Sequence, residues 1–183
     1  MHNKSADISW NPSGVPVSNQ FDDPYFSLEN GLAETRHVFL DGNDLPARFG
    51  GVFRIAELGF GTGLNFLTTV QAWQDNGCKG TVHFTSFEAF PMSTDDMTKA
   101  LDAFPELRAL AGVLVSCWTP DGGPIDILDG VVLDVVVGDA RRSVPAWNCM
   151  ADAWFLDGFS PAKNPQLWEP ALLSAVGAHT KPD

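Results

Sequence analysis

The sequence predicts an α/β fold: a mostly parallel sheet with helices on both faces, preceded by an amino-terminal appendage over residues 1–50. Three observations carry this. From residue 52 onward, short apolar runs alternate with segments of helical character. The runs Val52–Leu58 and Val82–Glu88 are rich in apolar residues, as expected for strands of a parallel sheet covered on both sides. Four acids, Glu57, Glu88, Asp139 and Asp157, stand at or just after the ends of expected strands. Ligands of open parallel sheets sit at those ends, near the switch in strand order.

The elements follow in order. Residues 1–50 are dense in turn formers and aromatics, as in Trp10-Asn11-Pro12 and Phe21-Asp22-Asp23-Pro24-Tyr25-Phe26. Val38-Phe39-Leu40, followed by Asp41-Gly42-Asn43, reads as a short strand and turn. Val52–Leu58 is a buried strand ending in glycines, and Leu64–Trp73 a helix. Val82–Glu88 is the second strand. Ser93 then opens a helix with Asp96 where a capping-box acid belongs, and that helix ends near Phe104-Pro105. Ile125–Leu128 and Val131–Val137, joined by Asp129-Gly130, read as a hairpin inserted into the domain. Ala153–Leu156 is the fourth strand and Gln166–Ala178 the last helix. Residues 51–183 thus form one partial α/β domain.

Composition narrows the function classes. A chain of 183 residues, 44% hydrophobic and 19% charged, is an ordinary globular domain. No apolar run reaches the length of a membrane span, and Met1–Trp10 holds no signal-type stretch, so the expected location is the cytoplasm. Cys78, Cys117 and Cys149 are scattered, as are His2, His37, His83 and His179; neither a disulfide framework nor a metal site is expected. The net charge of −12 excludes a surface that binds phosphate backbones everywhere. A nucleic-acid substrate would need a local basic patch or help from another domain.

The loop Glu57-Leu58-Gly59-Phe60-Gly61-Thr62-Gly63 joins the first strand to its helix. A dinucleotide fingerprint needs a third glycine at Leu64 or Phe66, depending on register, and neither is glycine. No Gly-Lys-Ser/Thr follows, so a phosphate loop of Walker type is excluded as well. The spacing G-x-G-x-G after an acid instead resembles the loop of Rossmann-like class I methyltransferases, which bind S-adenosyl-L-methionine. In that reading Gly59, Gly61 and Gly63 let the backbone approach the ligand. Glu57 positions the methionyl amine or a bridging water. Glu88 accepts from the ribose hydroxyls, and Asp139 from the adenine amino group.

A more specific resemblance rests on longer runs. Asp152 to Pro165, read D-A-W-F-L-D-G-F-S-P-A-K-N-P and followed by Leu167-Trp168, is similar to the signature of the MnmC-type tRNA methyltransferase domain. So are Glu57–Leu67, Pro16–Ser18, Phe21–Ser27, Gly31–Glu34, Ser86–Pro91 and Gly138-Asp139. The resemblance covers residues 8–183. It implies methyl transfer to the amine of 5-aminomethyl-2-thiouridine at the tRNA wobble position, with tRNA as partner. It also implies a flavin-dependent oxidase, fused or separate, acting on the same nucleotide; flavin itself is not expected on these residues. Asp157 would hold and orient the substrate amine as the catalytic residue. Lys163 would touch phosphate. Tyr25 either stacks on a base or cofactor or packs within the arm, and Phe159 either walls the base or packs. The family's later strands and a basic stretch are expected to be missing, leaving Ala153–Leu156 at an open sheet edge. Two other readings follow from the same residues: a small-molecule amine methyltransferase, which the acidic charge favours, and an inactive truncated homologue serving as a binding module.

Overall fold

The computed structural model describes residues 5–182, so His2 and Asp183 lie outside the described residues. The amino-terminal segment forms its own antiparallel sheet from β1 (Ile8–Trp10), β2 (Pro16–Ser18) and β3 (Asp23–Pro24). The chain then turns helical: α1 (Gly31–Thr35) runs into a π-helical turn at Arg36–Leu40 and a 3-10 turn at Asp41–Asn43. The strand expected at Val38–Leu40 is therefore helix. Leu32, Thr35 and Leu40 are buried while Val38 is 50% exposed, so burial follows one helical face.

The second part alternates as anticipated. Its elements are β4 (Val52–Leu58), α2 (Leu64–Asp75), β5 (Thr81–Glu88), α3 (Thr94–Leu101), α4 (Arg108–Cys117), β6 (Gly123–Leu128), β7 (Val131–Val137), α5 (Ala140–Ala146), β8 (Ala153–Leu156) and α6 (Pro170–Ala178). Ser93 caps α3: its hydroxyl accepts from the Asp96 amide at 3.1 Å and donates to the Asp96 carboxylate at 2.7 Å. α3 stops at Leu101, short of Phe104. The helices α4 and α5 carry no strong sequence signal. α4 starts at Arg108, preceded by Leu107 at the cap position with no side-chain cap bond, and α5 is seven residues long with Pro145 inside it. Pro170 splits the expected last helix, because a proline favours the first helical position and sets the preceding Glu169 extended.

The five strands order as β6-β7-β5-β4-β8, all parallel except β6. The hairpin is thus no insertion. Its second arm, β7, is a main parallel strand, paired with β5 from Val82↔Val131 to Glu88↔Val137. Alternate burial of Val131, Leu133 and Val135 in the core holds it there. β8 ends the sheet order, as expected, with only an isolated bridge from Ala151 to Thr180 beside it.

Each face of the sheet has its own core. On one face Phe53, Ile55, Phe84, Leu133 and Phe155 meet Phe66, Leu67 and Val70 of α2 and Leu114 of α4. On the other, Ala56, Leu58 and Phe87 meet Ala140 and Val144 of α5 and Leu172 and Val176 of α6. Full burial of each large apolar side chain contributes roughly 1.5–3 kcal/mol, so this two-sided packing fixes the register and brings the strand ends into line. From β4 the chain steps to β5 and β7 on one side, then to β8 on the other. The order therefore reverses between β4 and β8. Among the described residues no helix is long and apolar enough to cross a membrane.

Candidate active site

The loop after β4 and the loop after β8 meet at that reversal. Gly59 has φ +88, and a Cβ placed on it would stand 2.5 Å from the carbonyl oxygen of Asp157. Only glycine permits both the backbone angle and the approach. Gly61, at φ +55, lies under the ring of Tyr25, whose Cδ1 would be 3.3 Å from an added Cβ. Gly63 precedes α2 at φ +80. The loop forms one wall of a cavity of about 760 Å³ at the carboxyl ends of the strands. Glu88, Asp139, Asp157, Tyr25 and Phe159 line the same cavity, so the strand-end acids converge as the topology requires.

Glu88 ends β5 with each carboxylate oxygen held once: Oε2 accepts from the Gly61 amide at 3.0 Å and Oε1 from the Phe90 amide at 2.7 Å. A carboxylate oxygen has two lone pairs, so each keeps one for a hydroxyl donor. Asp139 ends the turn after β7 and caps α5, accepting from the Arg141 amide at 3.0 Å. The Arg141 guanidinium grips it through Nη2 at 2.7 Å and Nε at 3.0 Å and reaches Glu169 at 3.3 Å. That grip holds the Asp139 carboxyl below the usual range.

Two of the expected residues are engaged by protein partners. Glu57 does not face the cavity. Strand alternation turns it into the core beneath the glycine loop, where it is fully buried and is the only carboxyl among the buried polar residues described. Its carboxyl accepts from Asn65 Nδ2 at 2.9 Å and Ser86 Oγ at 2.6 Å. Burial pushes it up to about 8, with those two bonds opposing and Asp157 and Glu88 adding to the rise. Asn65 bridges it to Asp157. Lys163 is engaged as well: its ammonium donates to the Asp22 carboxylate at 2.6 Å and the Asp22 carbonyl at 2.9 Å. Asp22 is correspondingly held below the usual carboxylate range.

Lys163 belongs to a clasp between the amino-terminal segment and the loop after β8. The Ser160 amide donates to Asp23 at 3.1 Å. Phe159 packs on Phe21 with ring centres 4.9 Å apart and meets Tyr25 edge-on at 5.1 Å. The phenol of Tyr25 is pushed above its usual range by burial, with Glu88 adding to the effect. Asp157 borders this aromatic group. Its side chain is exposed to water in the cavity, while neighbouring protein atoms partly desolvate the carboxyl. That desolvation pushes its carboxyl up to about 6, with Asn65 opposing and Glu34 adding to the rise. Water in the cavity offsets part of the shift; a ligand there would restore it.

Asn65, Thr35 and Glu34 also line the cavity and were not picked out from the sequence. The available signal was a polar residue in the first turn of an otherwise apolar helix, Leu64-Asn65-Phe66-Leu67. The three cysteines are free. No group of three or more metal-binding side chains occurs among the described residues.

A sequence model of the family described as "S-adenosyl-L-methionine-dependent methyltransferase" matches residues 113–183. The "tRNA 5-methylaminomethyl-2-thiouridine biosynthesis bifunctional protein MnmC" of Aeromonas hydrophila is 43% identical over 97% of this chain, which covers 29% of that protein. The protein of the same name from Stutzerimonas stutzeri is 42% identical over 97% of the chain, which covers 28% of it. The chain thus spans under a third of the length of these curated relatives. Among solved structures, MnmC2 from Aquifex aeolicus superposes with a TM-score of 0.76 at 25% identity, over 98% of this chain and 58% of that one. The fold is the Rossmann-like class I methyltransferase fold, and the chain resembles the MnmC-type methyltransferase domain along essentially its whole length.

Proposed function

We propose that the chain transfers a methyl group from S-adenosyl-L-methionine to the exocyclic amine of 5-aminomethyl-2-thiouridine at the wobble position of tRNA. One observation carries the reading: Asp157 stands at the switch in strand order, facing the same cavity that the glycine loop walls and Glu88 borders. The match to the MnmC proteins supports the choice of tRNA.

The residues present suit this cofactor. Gly59 and Gly61 line the cavity, and Glu88 keeps an acceptor on each oxygen for a pair of ribose hydroxyls. Asp139 lines the same cavity, where it would accept from an adenine amino group by giving up part of its contact with the Arg141 guanidinium. When bound, S-adenosyl-L-methionine supplies an activated methyl group.

The chain's own work concerns the amine. A primary amine is protonated at neutral pH and must lose a proton before its lone pair can attack. Asp157 pairs with the ammonium, then receives or passes on its proton. A carboxyl raised to about 6 is a better acceptor than an ordinary aspartate. Phe159, Phe21 and Tyr25 give the base an aromatic wall. The clasp at Lys163 and Ser160 holds that wall against the loop after β8.

The test is methyl transfer to tRNA carrying the aminomethyl group, at saturating cofactor. Asp157→Ala should lower turnover at least 100-fold, within the usual range for loss of an acid–base group, while cofactor affinity stays within about 3-fold. Unchanged turnover would remove Asp157 from the reaction. The net charge of −12 favours a second reading, transfer to a small free amine. Competition between tRNA and free amines at fixed salt separates the two.

A further inference from the structure

We infer that Asn65 is the positioning residue of the site: locked by Thr35 from the amino-terminal segment, its amide selects which Asp157 oxygen meets the substrate amine. This rests on the role proposed above for Asp157. The amide lies between two acids. Its Nδ2 donates one hydrogen to Glu57 Oε1 at 2.9 Å and the other to Asp157 Oδ2 at 2.5 Å. Its Oδ1 accepts from the Thr35 hydroxyl at 3.0 Å. Thr35 and Asn65 are each only 5% exposed, so solvent cannot take over either bond.

Asp157 sets the orientation of the amide. Flipped, its oxygen would face the ionised Asp157 carboxylate and lose that bond, whereas as it stands its NH2 donates to both acids. The Thr35 bond holds the amide in that orientation, and it comes from α1, outside the sheet domain. In that orientation Asp157 Oδ2 already accepts from Asn65, and Oδ1 is the oxygen with both lone pairs open to the amine. The same donor stabilises the charged form of Asp157 against the other groups that face it. Those are Glu34 from α1 and Glu57 from β4, with Glu88 from β5 adding its field to Glu57. Without Asn65, Asp157 would hold its proton to higher pH and lose its preferred oxygen.

This predicts a signature that a merely structural residue would not give. Removing the donor should raise the Asp157 titration midpoint, since a hydrogen bond to a charged group shifts it by about one pH unit or more. The measurement is a titration of 13C-carboxyl aspartate by NMR, with the Asp157 signal assigned by its loss in Asp157→Asn. In folded Asn65→Leu the midpoint should move up by about one unit, and the acid limb of kcat should move with it while KM for the cofactor holds. Thr35→Val should move both in the same direction by less, and Thr35→Ser, which keeps the hydroxyl, should titrate as the native chain. An unchanged Asp157 midpoint in folded Asn65→Leu overturns the inference, as does Thr35→Ser behaving like Thr35→Val. Because the NMR titration needs no turnover, the expected shifts in a chain inactive on tRNA would uphold the positioning role and overturn only the assigned reaction.

Discussion

Replacing Glu57 by glutamine should make the protein more stable at alkaline pH and leave it nearly unchanged at pH 5. The carboxyl is fully buried, and burial raises it from an ordinary 4.5 to about 8. Between those values the folded chain keeps a proton that the unfolded chain has released. Stability is therefore fully present below the unfolded value, falls as pH rises through the window, and levels off above the folded value. Each pH unit costs about 1.4 kcal/mol, so the whole window costs on the order of 4–5 kcal/mol, a large share of a typical domain's stability. Asp157 moves in the same direction, but its window closes at about 6. Measurements from pH 6.5 to 8 therefore isolate Glu57, where the native chain should lose about 2 kcal/mol relative to the variant. The glutamine carbonyl still accepts from Asn65 and its amide donates to Ser86, so at pH 5 the two proteins should agree within about 1 kcal/mol. Urea denaturation at five or six pH values gives both curves. Parallel curves between pH 6.5 and 8 would refute the reasoning, because they would mean that Glu57 ionises without cost where it stands.

Gly59→Ala should destabilise by at least about 1–3 kcal/mol, the usual strain of a side chain at positive φ. The 2.5 Å approach to the Asp157 carbonyl adds to that; a urea midpoint within error of the native one would contradict the close loop contact. Lys163→Met removes the bond to Asp22 and should speed hydrogen exchange at the Ser160 amide, which the adjacent Asp23 holds. Unchanged exchange there would mean that the clasp does not depend on the lysine.

Much of the fold was legible because burial on both faces leaves an unmistakable trace. Val52–Leu58 matches the observed strand, and Ser93 with Asp96 announced the start of α3. What failed was tertiary. Val38–Leu40 has strand-like residues but no strand to pair with, and α1 had already set a helical path. Val131–Val137 read as a hairpin arm because sequence shows the adjacent turn but not the distant β5 that claims its other edge. In the site, the acids were found by their place after strands, and Glu88, Asp139 and Asp157 do line one cavity. The burial of Glu57 was not legible, because one residue of alternation separates a core-facing acid from a cavity-facing one. Asn65 and Thr35 were missed because their pairing spans thirty positions and is visible only once α1 lies against α2.

The glycine loop and Glu88 are proposed to hold an adenosyl ligand at the switch in strand order. Calorimetry with S-adenosylhomocysteine, the methyl-free product, tests it most directly, comparing the native chain with Glu88→Ala. The account predicts one-to-one binding that weakens by at least 10-fold, about 1.4 kcal/mol, when the ribose acceptor is lost. Absence of binding by the folded native chain, or equal affinity in both proteins, would contradict it.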